Sequence, residues 1–165
     1  MKYDVVSFDT IAKEIINNEK YKKLKKESHH GLTRYDHSLR VAKKTYNMDL
    51  KLNIDYISAT RASLLHDFFI DIDFKNITGI DKGKVHPNLA LANAEAYFNL
   101  NNKEKDAILN HMFPLTLIPP TSIEGLIVTT ADKAVAVYEY SRFKLTATLS
   151  LWFLFLFNIL TLSNN

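Results

Sequence analysis

The run ISATRASLLHDFF, Ile57 to Phe69, decides how this chain is read. Asp55 stands just ahead of it as a helix cap, and small and apolar residues then recur at helical spacing. At its end His66 and Asp67 lie side by side between Leu65 and Phe68. A helix this apolar is buried on most sides, so its last turn carries an imidazole and a carboxylate into the interior. An unpaired charge there is costly, and some opposing charge must sit against it.

The remaining chain fits an all-α domain around that helix. Its 165 residues are 47% hydrophobic and 24% charged, which suits one globular core, and only four Gly and four Pro interrupt it. A first helix is expected from about Thr10 to Lys26, with a break near Asn17 and Asn18. A second opens at a capping box, Thr33 with Asp36, and runs through HSLRVAKKTYNM. The third is the helix after Asp55. DIDFKNITGIDKGKV, residues 71–85, shows no clean period and reads as a long loop. Pro87 then suits the first turn of a fourth helix, PNLALANAEAYF. Asn101 or Asn102 caps a fifth, KEKDAILNHMF, and a capping box of Thr121 with Glu124 opens a sixth through VTTADKAVAVYEYSRF.

The last stretch, LTATLSLWFLFLFNILTL (residues 145–162), carries no charge and as a helix would rise about 27 Å, slightly short of a bilayer core. Two regions follow: a domain over residues 1–142 and an apolar C-terminal helix over 143–165. That helix has three environments open to it: the interior of the domain, a homo-oligomer interface, or a membrane as a peripheral or tail anchor. The N-terminus has no apolar signal core and there is no cysteine, which favours the cytoplasm. A net charge of +3 gives no ground for a nucleic-acid partner. Lysines at 20, 22, 23, 25 and 26 form either a solvated face or an electropositive mouth for phosphates.

Several further polar residues fall at inward positions. His37 lies one turn before Val41, His86 precedes Pro87, His111 follows Ala107 and Ile108 by a turn, and Asp132 shares a helical face with Val128, Val135 and Ala136. Each alone reads as a hydrogen-bonded core residue. Together with His66 and Asp67 they come from five segments, and one or two divalent cations would satisfy them all. Imidazole and carboxylate without thiolate suit Fe, Mn, Co, Ni or Zn. A carboxylate can bridge two ions, and Asp67 is placed to do so.

His37 in YDHSLRVA, His66 and Asp67 in LLHD, His86, His111, and Asp132 in ADKAVA resemble the H…HD…H…H…D pattern of the HD-domain metal-dependent phosphohydrolases, over about residues 29 to 139. The resemblance implies a helical bundle of about six to seven helices holding two divalent transition-metal ions. His37, His66, Asp67 and Asp132 would hold the first ion, and Asp67, His86 and His111 the second. It further implies cleavage of a phosphoester or phosphoanhydride in a nucleotide or small phosphate compound by a metal-activated hydroxide. The pattern is closest to small two-metal members such as the symmetrical dinucleoside tetraphosphate hydrolases. Two other readings share the ligand set: an HD-type di-iron oxygenase, and a non-catalytic metal-containing module that senses a nucleotide. Where many members carry a Lys three residues after the HD aspartate this chain has Ile70, so the cation for transition-state charge is sought at Arg40 and Lys133. Lys82 and Lys84 could close over phosphate. His29, His30, Asp71 and Asp73 have nothing in their spacing that ties them to the site.

Overall fold

The computed structural model describes residues 5–29, 32–52, 54–70 and 80–162, without the side chains of residues 28, 29, 51, 80–82, 147, 149 and 151–162. Seven α-helices account for nearly all of the regular structure among the described residues. They are α1 (Phe8–Asn17), α2 (Glu19–Lys22), α3 (Arg34–Leu52), α4 (Tyr56–Leu65), α5 (Ile80–Tyr97), α6 (Asn102–Asn110) and α7 (Ile123–Leu162). A 3-10 turn at Lys23–Lys26 leads into a two-residue antiparallel pairing of β1 (Ser28–His29) with β2 (Leu32–Thr33). The chain is all-α, as the composition indicates.

Local chemistry explains most boundaries. Ser7 caps α1, accepting from the Thr10 amide at 3.2 Å, so the helix starts slightly before the expected Thr10. Asn18 breaks it where two asparagines were expected to, and its Oδ1 re-caps α2 by accepting from the Lys20 and Tyr21 amides. Thr33 Oγ1 accepts from the Asp36 amide at 3.1 Å and Asp55 Oδ1 from the Ser58 amide at 3.1 Å. Asn101 and Glu104 form the reciprocal box that opens α6.

Two boundaries differ from the sequence expectation. The fourth long helix begins at Ile80, so Pro87 lies inside it rather than in its first turn. Gly83 there signals close packing rather than a turn, because a Cβ on it would lie 3.0 Å from Leu115 Cδ2. Residues 71–79 of the expected loop lie outside the described residues. At the start of α7 the capping hydroxyl belongs to Ser122, which accepts from the Gly125 amide at 3.1 Å. Asp106 Oδ2 takes the Thr121 and Ser122 amides, and Glu124 turns instead to Lys103 Nζ at 2.7 Å. Gly125 permits this turn to close, since a Cβ would come within 2.6 Å of Pro120 Cβ.

Helix α4 is the hub, packing against α1, α3, α6 and α7. Leu64, Leu65 and Phe68 are fully buried among Ile15, Tyr21, Leu24 and Ile108. Each such side chain contributes roughly 1.5–3 kcal/mol by leaving water. Ile70, where a lysine was looked for, is half-buried against the same core.

Helix α7 continues without interruption for 40 residues, past the boundary expected at 142/143. Phe143 and Leu145 are exposed, and the hydroxyls of Thr146, Thr148 and Ser150 donate to carbonyls four residues back. Among the described residues, no helix is long and apolar enough to cross a membrane.

One buried charge lies away from the inward histidines. Asp49 on α3 is fully buried, neither carboxylate oxygen has a hydrogen-bond partner, and Lys103 is engaged by Glu124 and Asp55. Burial, then the negative charges of Glu124 and Asp55, raise its pKa to about 7. The folded state thus holds the proton more tightly than the unfolded chain, whose carboxyl titrates near 3.8. The stability this confers is complete below about pH 4 and is lost as pH rises through about 7. Asp49→Asn should therefore be more stable than the native chain at pH 8, by about 1–3 kcal/mol, with the gap closing toward pH 4. Urea unfolding at the two pH values measures this, and an equal gap at both would refute it.

Candidate metal centre

Two helix ends supply the first pair of imidazoles by the same device. His66 is the C-cap of α4 and His111 the C-cap of α6, both with right-handed helical backbone. Carbonyls in a helix's last turn have no partner within the helix. Each histidine turns its Nδ1 back onto one of them, His66 to Ser63 O and His111 to Ile108 O, both at 2.7 Å. Nδ1–H donates, so each Nε2 faces outward, that of the neutral His111 with its lone pair.

The outward nitrogens converge. His37, in the first turn of α3, places Nε2 3.1 Å from Asp132 Oδ1 on α7. His66 Nε2 lies 3.6 Å from the same oxygen and 3.9 Å from Asp67 Oδ2. His86 on α5 sets Nε2 3.4 Å from Asp67 Oδ1 and 3.0 Å from His111 Nε2. Because His111 Nε2 is an acceptor, His86 is the donor in that contact. His111 Nε2 itself lies 3.8 Å from Asp67 Oδ1. The ring centroids of His37 and His66 are 5.5 Å apart, those of His66 and His111 4.9 Å, and those of His111 and His86 5.0 Å. All six residues singled out as metal ligands therefore meet in one place. His37, His66, His111 and Asp67 are buried there; His86 and Asp132 are nearly so.

The donor set fits divalent cations. Two triplets, His37 with His66 and Asp132, and His66 with Asp67 and His111, each bring one ligand atom per residue within 4.8 Å of the others. Asp67 stands against His66, His86 and His111, and His66 belongs to both triplets. His66 Nε2 is buried without a hydrogen-bond partner while facing two carboxylates, the arrangement a positive ion completes.

Protonation follows the same geometry. Burial disfavours the charged form of His37, but hydrogen bonds to Asp132 and Glu139 outweigh it and push the pKa up to about 10. Burial likewise opposes charge on His66, and the carboxylates of Asp67 and Asp132 reverse it and raise the pKa. His111 has no such compensation. Burial, then the neighbouring His66 charge, push it down to about 3, so it is neutral. Asp132 is held well below the usual carboxylate range: burial resists, but His37 and His66 prevail.

The HD domain family model matches residues 34–136. The chain belongs to the HD domain family. No curated protein and no solved structure matches it. The family is of metal-dependent phosphohydrolase type, and the HD dipeptide itself is His66–Asp67.

The other expected residues of this HD domain fall as follows. Lys133 Nζ donates to His111 O at 2.9 Å and lies 3.8 Å from Asp132 Oδ2, with 40% of its side chain exposed. Burial lowers its pKa, with Asp132 opposing. Arg40 points to Glu139 Oε1 at 3.6 Å and is otherwise solvated. Asp36 serves the cap of α3, and Lys84 is exposed on α5. Side chains of His29 and Lys82, and the whole of His30, Asp71 and Asp73, lie outside the described residues.

Sequence reasoning missed Glu139. Its side chain is fully buried, with Oε2 2.8 Å from His37 Nδ1. The signal was present: Glu139 extends by one step the stripe of Val128, Asp132 and Val135.

Proposed function

We propose that this HD domain is a phosphohydrolase that cleaves a phosphoester or phosphoanhydride in a nucleotide or another small phosphate compound. The observation that carries this reading is the buried convergence of four imidazoles and two carboxylates, with His66 Nε2 facing both carboxylates yet without a hydrogen-bond partner of its own. His37, His66 and Asp132 would hold one divalent ion, and Asp67, His86 and His111 with His66 nearby a second. Bound there, such ions supply Lewis acidity toward phosphoryl oxygens and a water of lowered pKa.

The protein's own groups do the positioning. His66 and His111 are each fixed in one tautomer by a helix-end carbonyl, so their Nε2 atoms need no rearrangement to engage an ion. Phe69 packs against His86 at 5.3 Å with its ring tilted by 42°, and Arg34 lies 4.0 Å over Phe69, so an aromatic ring backed by a cation borders the site. Lys133 is the better placed of the two candidate cations. Anchored on His111 O and partly exposed, it keeps further N–H donors for a phosphate oxygen, whereas Arg40 is directed to Glu139.

The test is metal content of the purified protein by elemental analysis, followed by phosphate release under nitrogen. The substrates would be nucleoside mono- and triphosphates, dinucleoside polyphosphates and an aryl phosphodiester. About two transition-metal ions per chain and turnover without oxygen are the expected result. Oxygen consumption with iron and no phosphate release would replace this reading by the di-iron oxygenase. Tight nucleotide binding without turnover would replace it by the sensing module.

A further inference from the structure

His37 is held from both sides by one helix. Asp132 and Glu139 stand seven residues apart on α7, two turns along the same stripe, and meet the two ring nitrogens at 3.1 Å and 2.8 Å. His66 and His111 fix their Nδ1 atoms on free carbonyls at helix C-termini. His37 sits in the first turn of α3, where the carbonyls just before it are taken up by the helix, so its Nδ1 needs an acceptor from another element. Glu139 supplies it. Its carboxylate is fully buried, and Oε1 has no hydrogen bond, only the Arg40 guanidinium at 3.6 Å. A buried carboxylate with one oxygen spare is costly for stability alone. Glu139 also lies beyond the residues that the family model matches.

We infer that Glu139 is a positioning residue of the metal centre: by accepting the Nδ1 proton of His37 it fixes the imidazole plane and directs Nε2 toward Asp132 and His66. Arg40 then acts on the site through Glu139, as the counter-charge that holds the carboxylate in place. This rests on the metal-dependent reading above, and it extends the site two turns down α7.

The test uses the full chain with Zn2+, which is diamagnetic, and 15N-labelled histidine. In the Zn2+-loaded native protein His37 should carry its proton on Nδ1, slow to exchange and shifted downfield. Glu139→Ala should lose that proton signal and bind Zn2+ about 10- to 100-fold more weakly in a chelator competition. Glu139→Gln keeps an acceptor oxygen, so it should retain the Nδ1 proton and lose less affinity than alanine. A His37 proton on Nε2 in the native Zn2+ form overturns the inference, and needs no variant to be folded. So does Glu139→Ala binding Zn2+ as tightly as the native chain. Failure of the native protein to take up Zn2+, Mn2+ or Fe2+ is a different result: it removes the metal-dependent reading and this inference with it.

Discussion

Asp67→Ala will bind at most one metal ion per chain and hydrolyse phosphate substrates at least about 10^3-fold more slowly than the native protein, while remaining folded. Asp67 supplies the one carboxylate in the triplet with His66 and His111. Its Oδ1 also faces His86 Nε2 at 3.4 Å. Without it His66, His86 and His111 are left with no carboxylate among them, and the second ion proposed for that place would lose both a ligand and its electrostatic complement. The fold tolerates the loss because Asp132 remains against His37 and His66. Asp67→Asn separates shape from charge: it should bind metal better than alanine and still turn over poorly. Elemental analysis with initial rates at saturating metal decides the matter. Native metal content and rate in Asp67→Ala would place Asp67 outside the reacting centre.

How far the sequence could be read depended on whether a residue's role was local. Asp55, Asn101 and the Thr33–Asp36 pair announce helix starts because a cap needs only its own next turn. His66 and His111 were legible for a related reason, since a polar residue that ends an apolar helical run has few places to point. The start of α5 was not legible. Gly83 reads as a breaker until Leu115, 32 residues on, is seen to need the space. Ser122 displaced Thr121 as the cap of α7 because Asp106, on another helix, claims both amides at the turn. Glu139 combines the two cases. Its stripe is local and could have been counted, but its partner lies 102 residues away on α3. That a buried glutamate serves an imidazole nitrogen rather than a lysine cannot be inferred from spacing.

Phe68→Ala is expected to destabilise the protein by about 3–5 kcal/mol. Phe68 is fully buried, with ring centroids 5.4 Å from Tyr21, 5.9 Å from Phe98 and 6.0 Å from Tyr97. Its backbone matters equally. The Phe68 amide donates to Leu65 O at 3.1 Å, its carbonyl accepts from Asn93 Nδ2 at 2.9 Å, and Tyr21 donates to Leu64 O at 2.8 Å. These contacts fix the turn that follows α4, and that turn carries His66 and Asp67. The apolar residue after the dipeptide thus holds the polar pair in register, because a cavity beneath it would let the turn settle toward Tyr21 and draw Asp67 away from His86. Metal affinity should accordingly fall in Phe68→Ala even where the variant is still folded, whereas Phe68→Leu, which keeps most of the volume, should cost about 1.5 kcal/mol or less and leave the site intact. Denaturant midpoints and Zn2+ competition on the two variants measure both effects. Equal metal affinity in alanine and leucine variants would mean that the site is held by its carbonyl-tethered histidines alone, with the core beneath it contributing only to stability.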